Sequence, residues 1–301
     1  IRLLSDKNVE INTIENNNVV QINYTNSVVK FNCFDIEDYP EFELKENTPL
    51  FSVSPELLSE SIKQVSFAAS RDMARPILTG TLFDIKTQDT MTLVATDSHR
   101  LTRKDVSIKC LQPDMEPASA IIPSRVLNEL NRVITGSDTE EEVYVGLSST
   151  NVFFKYGNTL IRSQLIDGQF PHYDEVIPKV ASTSVQMETS DFSSSLNRTA
   201  LIALAAAKGR SGGVLRQNIH ENVMKINAQA NDVGEVEENI NIDKTGADLE
   251  IAFNARYLLD VLKAIDSERI KIEYSGPLSP ALFKGEDKMD YLYLVLPIRI
   301  S

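Results

Sequence analysis

Residues 123–134 read PSRVLNELNRVI and residues 254–265 read NARYLLDVLKAI, two stretches that superpose with Arg125 on Arg256, Leu127 on Leu258 and Arg132 on Lys263. Each opens on a helix-start signal, Pro-Ser or Asn, and then sets apolar residues at helical spacing, so each predicts an amphipathic helix. A second pair lies upstream of these. Residues 54–70, SPELLSESIKQVSFAAS, place Leu58, Ile62, Val65 and Ala69 on one face, and residues 189–207 place Phe192, Leu196, Thr199 and Ala203 at the same steps.

Strands repeat between and behind the helices. Residues 9–42, VEINTIENNNVVQINYTNSVVKFNCFDIEDYPEF, read as three short strands joined by Asn-rich turns. The stretch 133–176, VITGSDTEEEVYVGLSSTNVFFKYGNTLIRSQLIDGQFPHYDEV, matches it with Tyr156 on Tyr24, Asn158 on Asn26 and Pro171 on Pro40. A third copy, AIDSERIKIEYSGPLSPALFKGEDKMDYLYLVLPIRI, fills 264–300, with Ile265 on Ile134. The period is about 131 residues, and each unit runs helix, strands, helix, strands.

That order predicts an α+β fold of repeated domains, each with two helices packed on antiparallel sheets. Residues 47–177 form one complete unit and 178–301 a second, while 1–46 match only the tail of a third. The expectation is that about 80 residues of an N-terminal domain precede this chain. Linkers fall near Lys45 to Pro49 and Pro178 to Ser184, where polar residues and proline interrupt the periodicity.

Bulk properties limit what such a chain can do. At 301 residues, 42% hydrophobic and 24% charged, it can bury more than one core. No apolar run has the length of a membrane span and no signal peptide opens the sequence, so a cytoplasmic protein with no membrane partner is expected. The two cysteines, Cys33 and Cys110, lie far apart without metal-ligand spacing and predict free thiols. A net charge of −13 argues against a protein that grips nucleic acid over its whole surface, so any contact with DNA must come from segregated Lys and Arg. The acidic runs Glu140 to Glu142 and Glu235 to Glu238 read as solvated faces.

Candidate chemistry is sparse. Thr96-Asp97-Ser98-His99-Arg100-Leu101 brings Asp, Ser and His together, but neighbours on an extended chain point to opposite faces, and no G-x-S-x-G elbow accompanies them. A turn closed by Asp and Ser side chains, or a rim that touches a ligand, remains. His172 and His220 stand alone. Gly209-Arg210-Ser211-Gly212-Gly213 follows a helix where a phosphate loop would precede one, and reads as a basic connector. No catalytic residue, metal site or cofactor is expected, and the chain is not an enzyme on this reading.

Residues 67–108, FAASRDMARPILTGTLFDIKTQDTMTLVATDSHRLTRKDVSI, closely resemble the middle domain of bacterial sliding clamps, the beta subunits of DNA polymerase III, which join an RPIL-x-G stretch to a TD-x-HRL stretch. The resemblance continues through FPHYDEVIPK at 170–179, FNARYLLDVL at 253–262 and YLVLPIRI at 293–300, and so covers essentially the whole chain. It implies three domains of one kind, of which 1–46 are the remnant of the first, and an accessory replication subunit that encircles duplex DNA independently of its sequence. Implied partners are the DNA polymerase III alpha subunit, the clamp loader and repair proteins, which bind through short linear motifs.

Carried over by position, the resemblance makes 54–70, 123–134, 189–207 and 254–265 channel helices, with Lys63, Arg71, Arg125, Arg132, Arg198, Lys208, Arg210 and Lys263 facing phosphates. It places a peptide-binding pocket at Leu78, Thr96, Ser98, His99, Arg100, Leu101, Pro171, Val176, Tyr257, Leu278, Pro280, Leu294, Leu296 and Ile298, with Arg299 at the rim. Ser98 and Glu175 depart from the family, which often has glycine and a basic residue there. The full-length subunit should form a head-to-tail homodimer through Phe31 and Cys33 of one copy and Leu201 and Ile202 of the other, and the 301 residues alone should be largely monomeric. A peptide-binding repeat module that never encircles DNA is the rival reading.

Overall fold

The structure, a computed structural model, describes residues 8–14, 18–35, 37, 48–113, 116–207 and 212–299. The chain divides into two compact units, Ile1–Glu46 and Asn47–Ser301.

The first unit holds an antiparallel three-stranded sheet of Glu10–Ile14, Val19–Tyr24 and Ser27–Asn32. Its second and third strands are joined by Thr25-Asn26, with Tyr24 opposite Ser27 and Thr25 in the left-handed region at φ 43°. Tyr156 and Thr159 face each other in the same way around Gly157, whose φ is 53°. Two-residue hairpins need positive φ at this position, so the repeat extends to turn chemistry.

Within the second unit one topology occurs twice. Its first copy contains the helices α1, Pro55–Val65, and α2, Ser124–Thr135. The short helix α3, Tyr173–Val176, follows, and the second copy contains α4, Thr189–Ala206, and α5, Ala255–Leu262. Ser54 starts α1 by accepting a hydrogen bond from the Leu57 amide at 3.2 Å, with Pro55 in the first turn. Asn254 caps α5 by accepting from the Arg256 amide at 2.9 Å. The expected 54–70 helix is shorter than its periodicity, because α1 gives way at Ser66 to a 3₁₀ turn over Ser66–Ala68. The stretch 254–265 likewise stops as helix at Leu262.

Each copy builds two sheets in the same strand order. In the first copy Thr159–Gln164, Asn151–Tyr156, Val143–Leu147, Phe51–Val53 and Lys109–Cys110 lie side by side. Their counterparts in the second are Tyr291–Val295, Ala281–Gly285, Arg269–Tyr274, Thr183–Glu188 and Asp243–Gly246. The other sheet of the first copy is Arg100–Ser107, Thr90–Thr96, Gly80–Ile85 and Ala118–Pro123, matched by Gly234–Asn241, Val223–Ala230, Val214–His220 and Leu249–Asn254.

One joint merges the copies. Tyr291–Val295 pairs antiparallel with Arg100–Ser107, Tyr291 opposite Lys104 and Val295 opposite Arg100, so two of these sheets become one of nine strands. Lys104, only 3% exposed, donates to Asp290 at 2.6 Å at one end of the joint, and the Leu296 amide donates to the His99 carbonyl at 2.9 Å at the other.

Two cores lie on the helix side. Phe51, Leu58, Ile62, Phe83, Leu127, Leu130 and Phe154 fill the first, and Phe192, Leu196, Phe253, Leu258, Phe283 and Tyr293 fill the second. Helix α1 packs beside α2, and α4 beside α5. The apolar stripes read from sequence are buried except at Ala69, which lies past the end of the helix and is half-buried, because burial removes enough hydrocarbon from water to outweigh the entropy of ordering the helices.

Candidate functional site

Side chains alternate across a strand, and the nine-stranded sheet uses both faces. Phe83, Leu93, Ala95, Phe283 and Tyr293 point to the helices, while Leu82, Val94, Leu101, Leu282 and Leu294 point the other way. Leu101 lies directly opposite Leu294 across the joint. Ile121, Phe170 and Tyr173 pack over them, with Ile77, Ile166, Ile177 and Leu292 around the edge. Of the apolar side chains near this cluster in the chain, Leu278 is 65% exposed, Val176 53% and Leu296 38%. Single exposed aliphatics need no explanation, but an apolar seam with exposed aliphatics close to it in the chain is where a partner's side chains would be buried.

Residues 97–99 form the turn between the strands Thr90–Thr96 and Arg100–Ser107, the turn reading left open by the sequence. Ser98 has φ 77°, and Asp97 Oδ1 accepts hydrogen bonds from the amides of His99 at 2.9 Å and Arg100 at 3.1 Å. Asp97 therefore closes the turn and is not free to orient a base. The His99 ring stacks on Tyr257 at 6.4 Å between centroids.

Arg100 is almost fully committed. Its guanidinium donates to Asp97 Oδ2 at 3.0 Å, to Asp260 Oδ2 at 2.6 Å and to the Phe67 carbonyl at 3.0 Å, and it lies over the Tyr257 ring at 4.6 Å. Burial works against its charge, but Tyr293, Asp260 and Asp97 outweigh burial and hold its pKa above the ordinary guanidinium value. Such an arginine is a structural tie between the two copies.

Some of the proposed pocket residues line clefts of the surface. Leu78, Ser98, His99, Arg100 and Tyr257 line one of about 780 Å³, together with Arg71, Arg75, Arg256, Asp260 and Lys263. Pro171 lines a second of about 860 Å³, beside Leu82, Ile121, Phe170 and Tyr173. Ile298 and Arg299 line a third of about 640 Å³ on the sheet of the second copy, where the Ile298 amide donates to the Ala252 carbonyl at 2.7 Å. Thr96 is buried, its hydroxyl donating to the Arg100 carbonyl at 2.7 Å, and Pro280 is half-buried just before Ala281–Gly285.

Cations on the helices are unequal. Lys63, Arg71 and Arg125 are exposed with no carboxylate partner among the described residues. Arg132 is bound to Glu129 at 2.6 Å, Lys263 to Asp260 at 3.0 Å, and Arg198 to both oxygens of Glu238 at 2.7 and 2.8 Å. Glu238 is thus an ion-pair partner within the acidic run that the sequence presents as merely solvated. Lys208 and Arg210 lie outside the described residues. Phe31 and Leu201 are 54% and 70% exposed, Cys33 is an exposed free thiol, and Ile202 packs partly against the second core. Among the described residues there is no cluster of three or more His, Cys, Asp and Glu that could hold a metal, and no helix is long and apolar enough to cross a membrane.

Comparison with known proteins adds the decisive observation. The DNA polymerase III beta subunit central-domain family matches residues 52–172, and the C-terminal-domain family of the same subunit matches 174–299. The chain belongs to the beta sliding clamp family of DNA polymerase III. The beta sliding clamp of Halalkalibacterium halodurans is 30% identical over 99% of this chain and 77% of that protein, and the one from Streptococcus pneumoniae serotype 4 is 31% identical over the same shares. Solved structures agree. The DNA polymerase III beta subunit of Thermotoga maritima superposes with a TM-score of 0.87 at 28% identity, over 100% of this chain and 78% of that one. The sliding clamp of Bacillus subtilis gives 0.87 at 29% identity, over 100% and 77%.

The α+β fold of repeated units read from the repeat, and the clamp fold implied by the resemblance, are therefore the observed ones. Several pairings in the clefts are not readable from the motifs that hold these residues: Asp260, Arg75 and Arg256 join Arg100 and Ser98 only through folding, and Phe170 and Tyr173 reach the apolar seam from the end of the first repeat unit.

Proposed function

We propose that this chain works as a processivity factor, not an enzyme: a full-length subunit that closes head to tail with a second copy around duplex DNA and holds polymerase III, clamp loader and repair proteins by short peptide motifs. A cytoplasmic location and domains bounded at 46/47 and 177/178 accompany that reading. The observation that carries it is the strand joint. Tyr291–Val295 seats on Arg100–Ser107 within the chain, and the repeat counterparts of these two strands, Ser27–Asn32 and Gly234–Asn241, are sheet edges. An unpaired edge is a template for another strand.

Transferring the observed register, Tyr291 opposite Lys104, to a Ser27–Asn32 strand on the Gly234–Asn241 edge of a second copy sets Val29 against Val236 and Lys30 against Glu235. Phe31 would then lie on the face toward α4, which carries the exposed Leu201. Such an interface is heterologous yet closes with two copies.

For duplex DNA, Lys63 and Arg125 are the helix cations with charge to spare, and Arg132 and Arg198 contribute less because acids already hold them. Few phosphate contacts on an acidic protein give weak, salt-dependent attraction, which suits sliding. The peptide site is the Leu101–Leu294 seam with Leu278, Val176 and Leu296 at its margins. The test uses the full-length protein in two assays: retention on nicked circular against linear DNA, and fluorescence anisotropy of a Gln-x-x-Leu-Phe peptide. Retention on the circle alone, with peptide binding abolished in a folded Leu278→Asp/Leu296→Asp variant, is the expected result. Equal release from both DNAs would instead support a peptide-binding module that does not encircle.

A further inference from the structure

The cleft beside the Ser98 turn combines an apolar wall with cations whose charge is not spent. Leu78, His99 and Tyr257 supply the wall. Around it stand Arg71, Arg75, Arg100, Arg256 and Lys263 against Asp72, Asp97 and Asp260, an excess of basic groups in a chain whose net charge is −13. The acids are also occupied. Arg100 engages Asp97 and Asp260 together, Lys263 shares Asp260, and Asp72 Oδ1 accepts from the Ala74 amide at 2.9 Å. The Arg75 guanidinium donates to the neutral Ser98 hydroxyl, at 3.2 Å, and among the described residues none of Arg71, Arg75 and Arg256 has a carboxylate partner. Three arginines without counter-ions on one concave wall raise the local potential and attract an anion.

We propose that this cleft receives an acidic stretch flanking the apolar motif of the partner peptide, so that clamp partners are selected by Asp and Glu beside the motif as well as by its hydrophobic residues. The inference rests on the peptide-binding reading above. Arg71 and Lys263, which the family resemblance assigns to duplex phosphates, thereby gain a different ligand. One feature favours a peptide over a DNA backbone: Arg100, His99 and Tyr257 tie the cleft directly to the strand joint, since the His99 carbonyl accepts from Leu296 and the Tyr257 carbonyl accepts from Tyr293 at 3.0 Å. The guanidinium groups of Arg71 and Arg75 before the first-copy sheet and of Arg256 on α5 can each take a carboxylate in planar fashion, as they can a phosphate, so the experiment includes both ligands.

The experiment measures three peptides that share one apolar motif and carry acidic, neutral or basic flanks, against full-length wild type and an Arg71→Glu/Arg75→Glu/Arg256→Glu variant. Wild type should bind the acidic-flank peptide about 10-fold tighter than the neutral one at low salt, an advantage that shrinks as salt rises from about 50 to about 300 mM. The variant should lose this advantage, or reverse it, while its urea-unfolding midpoint stays at the wild-type value and so reports an intact fold. Equal affinity of wild type for all three peptides would overturn the proposal while leaving the peptide site standing. No binding of any peptide would fail the underlying reading instead. If the variant kept its preference for acidic flanks and lost only duplex DNA, these arginines would be phosphate contacts and the proposal would be wrong.

Discussion

Arg100 Nη1 donates to Asp260 Oδ2 at 2.6 Å, across 160 positions of sequence, and so bolts a strand of the first repeat copy to helix α5 of the second. Both side chains are largely withdrawn from water, with 11% and 25% of their surface exposed. Removing one partner strands the other. Arg100→Ala should cost about 2–4 kcal/mol in urea unfolding. Arg100→Lys should recover only a minority of that, since a lysine cannot reach Asp97, Asp260 and the Phe67 carbonyl from one planar group. Full stability in Arg100→Ala would mean that the tie is ornamental.

Ser98 occupies the left-handed region at φ 77° with an exposed side chain. Ser98→Gly should therefore be neutral or raise the melting temperature slightly, whereas the β-branched Ser98→Val should lower stability by about 1–2 kcal/mol. Calorimetry of the two variants side by side checks the sign.

Leu278 and Val176 are more than half exposed, so changing them disturbs little packing. Leu278→Asp and Val176→Asp should each weaken binding of a Gln-x-x-Leu-Phe peptide about 10-fold or more while shifting the unfolding midpoint negligibly. Anisotropy titration beside a denaturation curve separates the two effects. Loss of stability without loss of binding would place the peptide elsewhere.

The register proposed for the dimer sets Lys30 of one copy against Glu235 of the other. In the full-length protein, Lys30→Glu and Glu235→Lys should each raise the dimer dissociation constant about 3- to 10-fold, and the double exchange should restore most of it. Light scattering over a dilution series reads this directly, and a double variant no tighter than the singles would rule out that pairing.

Asp248 offers a pH handle remote from these surfaces. Its hydrogen bonds with Lys244, at 2.7 Å, and with His220, at 2.5 Å, hold its carboxyl down at about 2, below the ordinary 3.8. A depressed folded pKa means that the pair stabilises fully above the ordinary value and is lost as pH falls through about 2. Carboxyl NMR titration should find the low value in the native protein and a value moved toward 3.8 in Lys244→Met.

The helices and hairpins were legible because their signals are local: the apolar spacing of Leu58, Ile62 and Val65 marks α1, Asn254 announces α5, and Tyr156-Gly157-Asn158 repeats Tyr24-Thr25-Asn26. Helix ends were less so, since the stop of α1 at Ser66 depends on where Phe67 packs, against both cores. Arg100 was visible as a site residue through the family motif, but its partner Asp260 was not, because nothing in a charge pattern says which carboxylate folding will bring within 2.6 Å. The same holds for Arg198, exposed on α4 yet clamped by Glu238 from a strand 40 positions away. Which face of a sheet each peptide-site residue takes was not legible either: Leu78, His99 and Arg100 line one cleft and Pro171 another, while Leu101 and Leu294 pack in the seam, since a shared motif says nothing about the wall a side chain faces.

The joint between Tyr291–Val295 and Arg100–Ser107 has a last consequence, for misfolding. Leu101 and Val106 are buried on opposite faces of one strand, and Tyr291, Tyr293 and Leu294 are buried on the other. If thermal agitation peeled the two copies apart, each would bare a long β-edge greasy on both sides, a seed for aggregation. Cohesion at this seam therefore guards solubility, and heat-induced clumping should begin wherever Lys104, Asp290 or Arg100 loosens first.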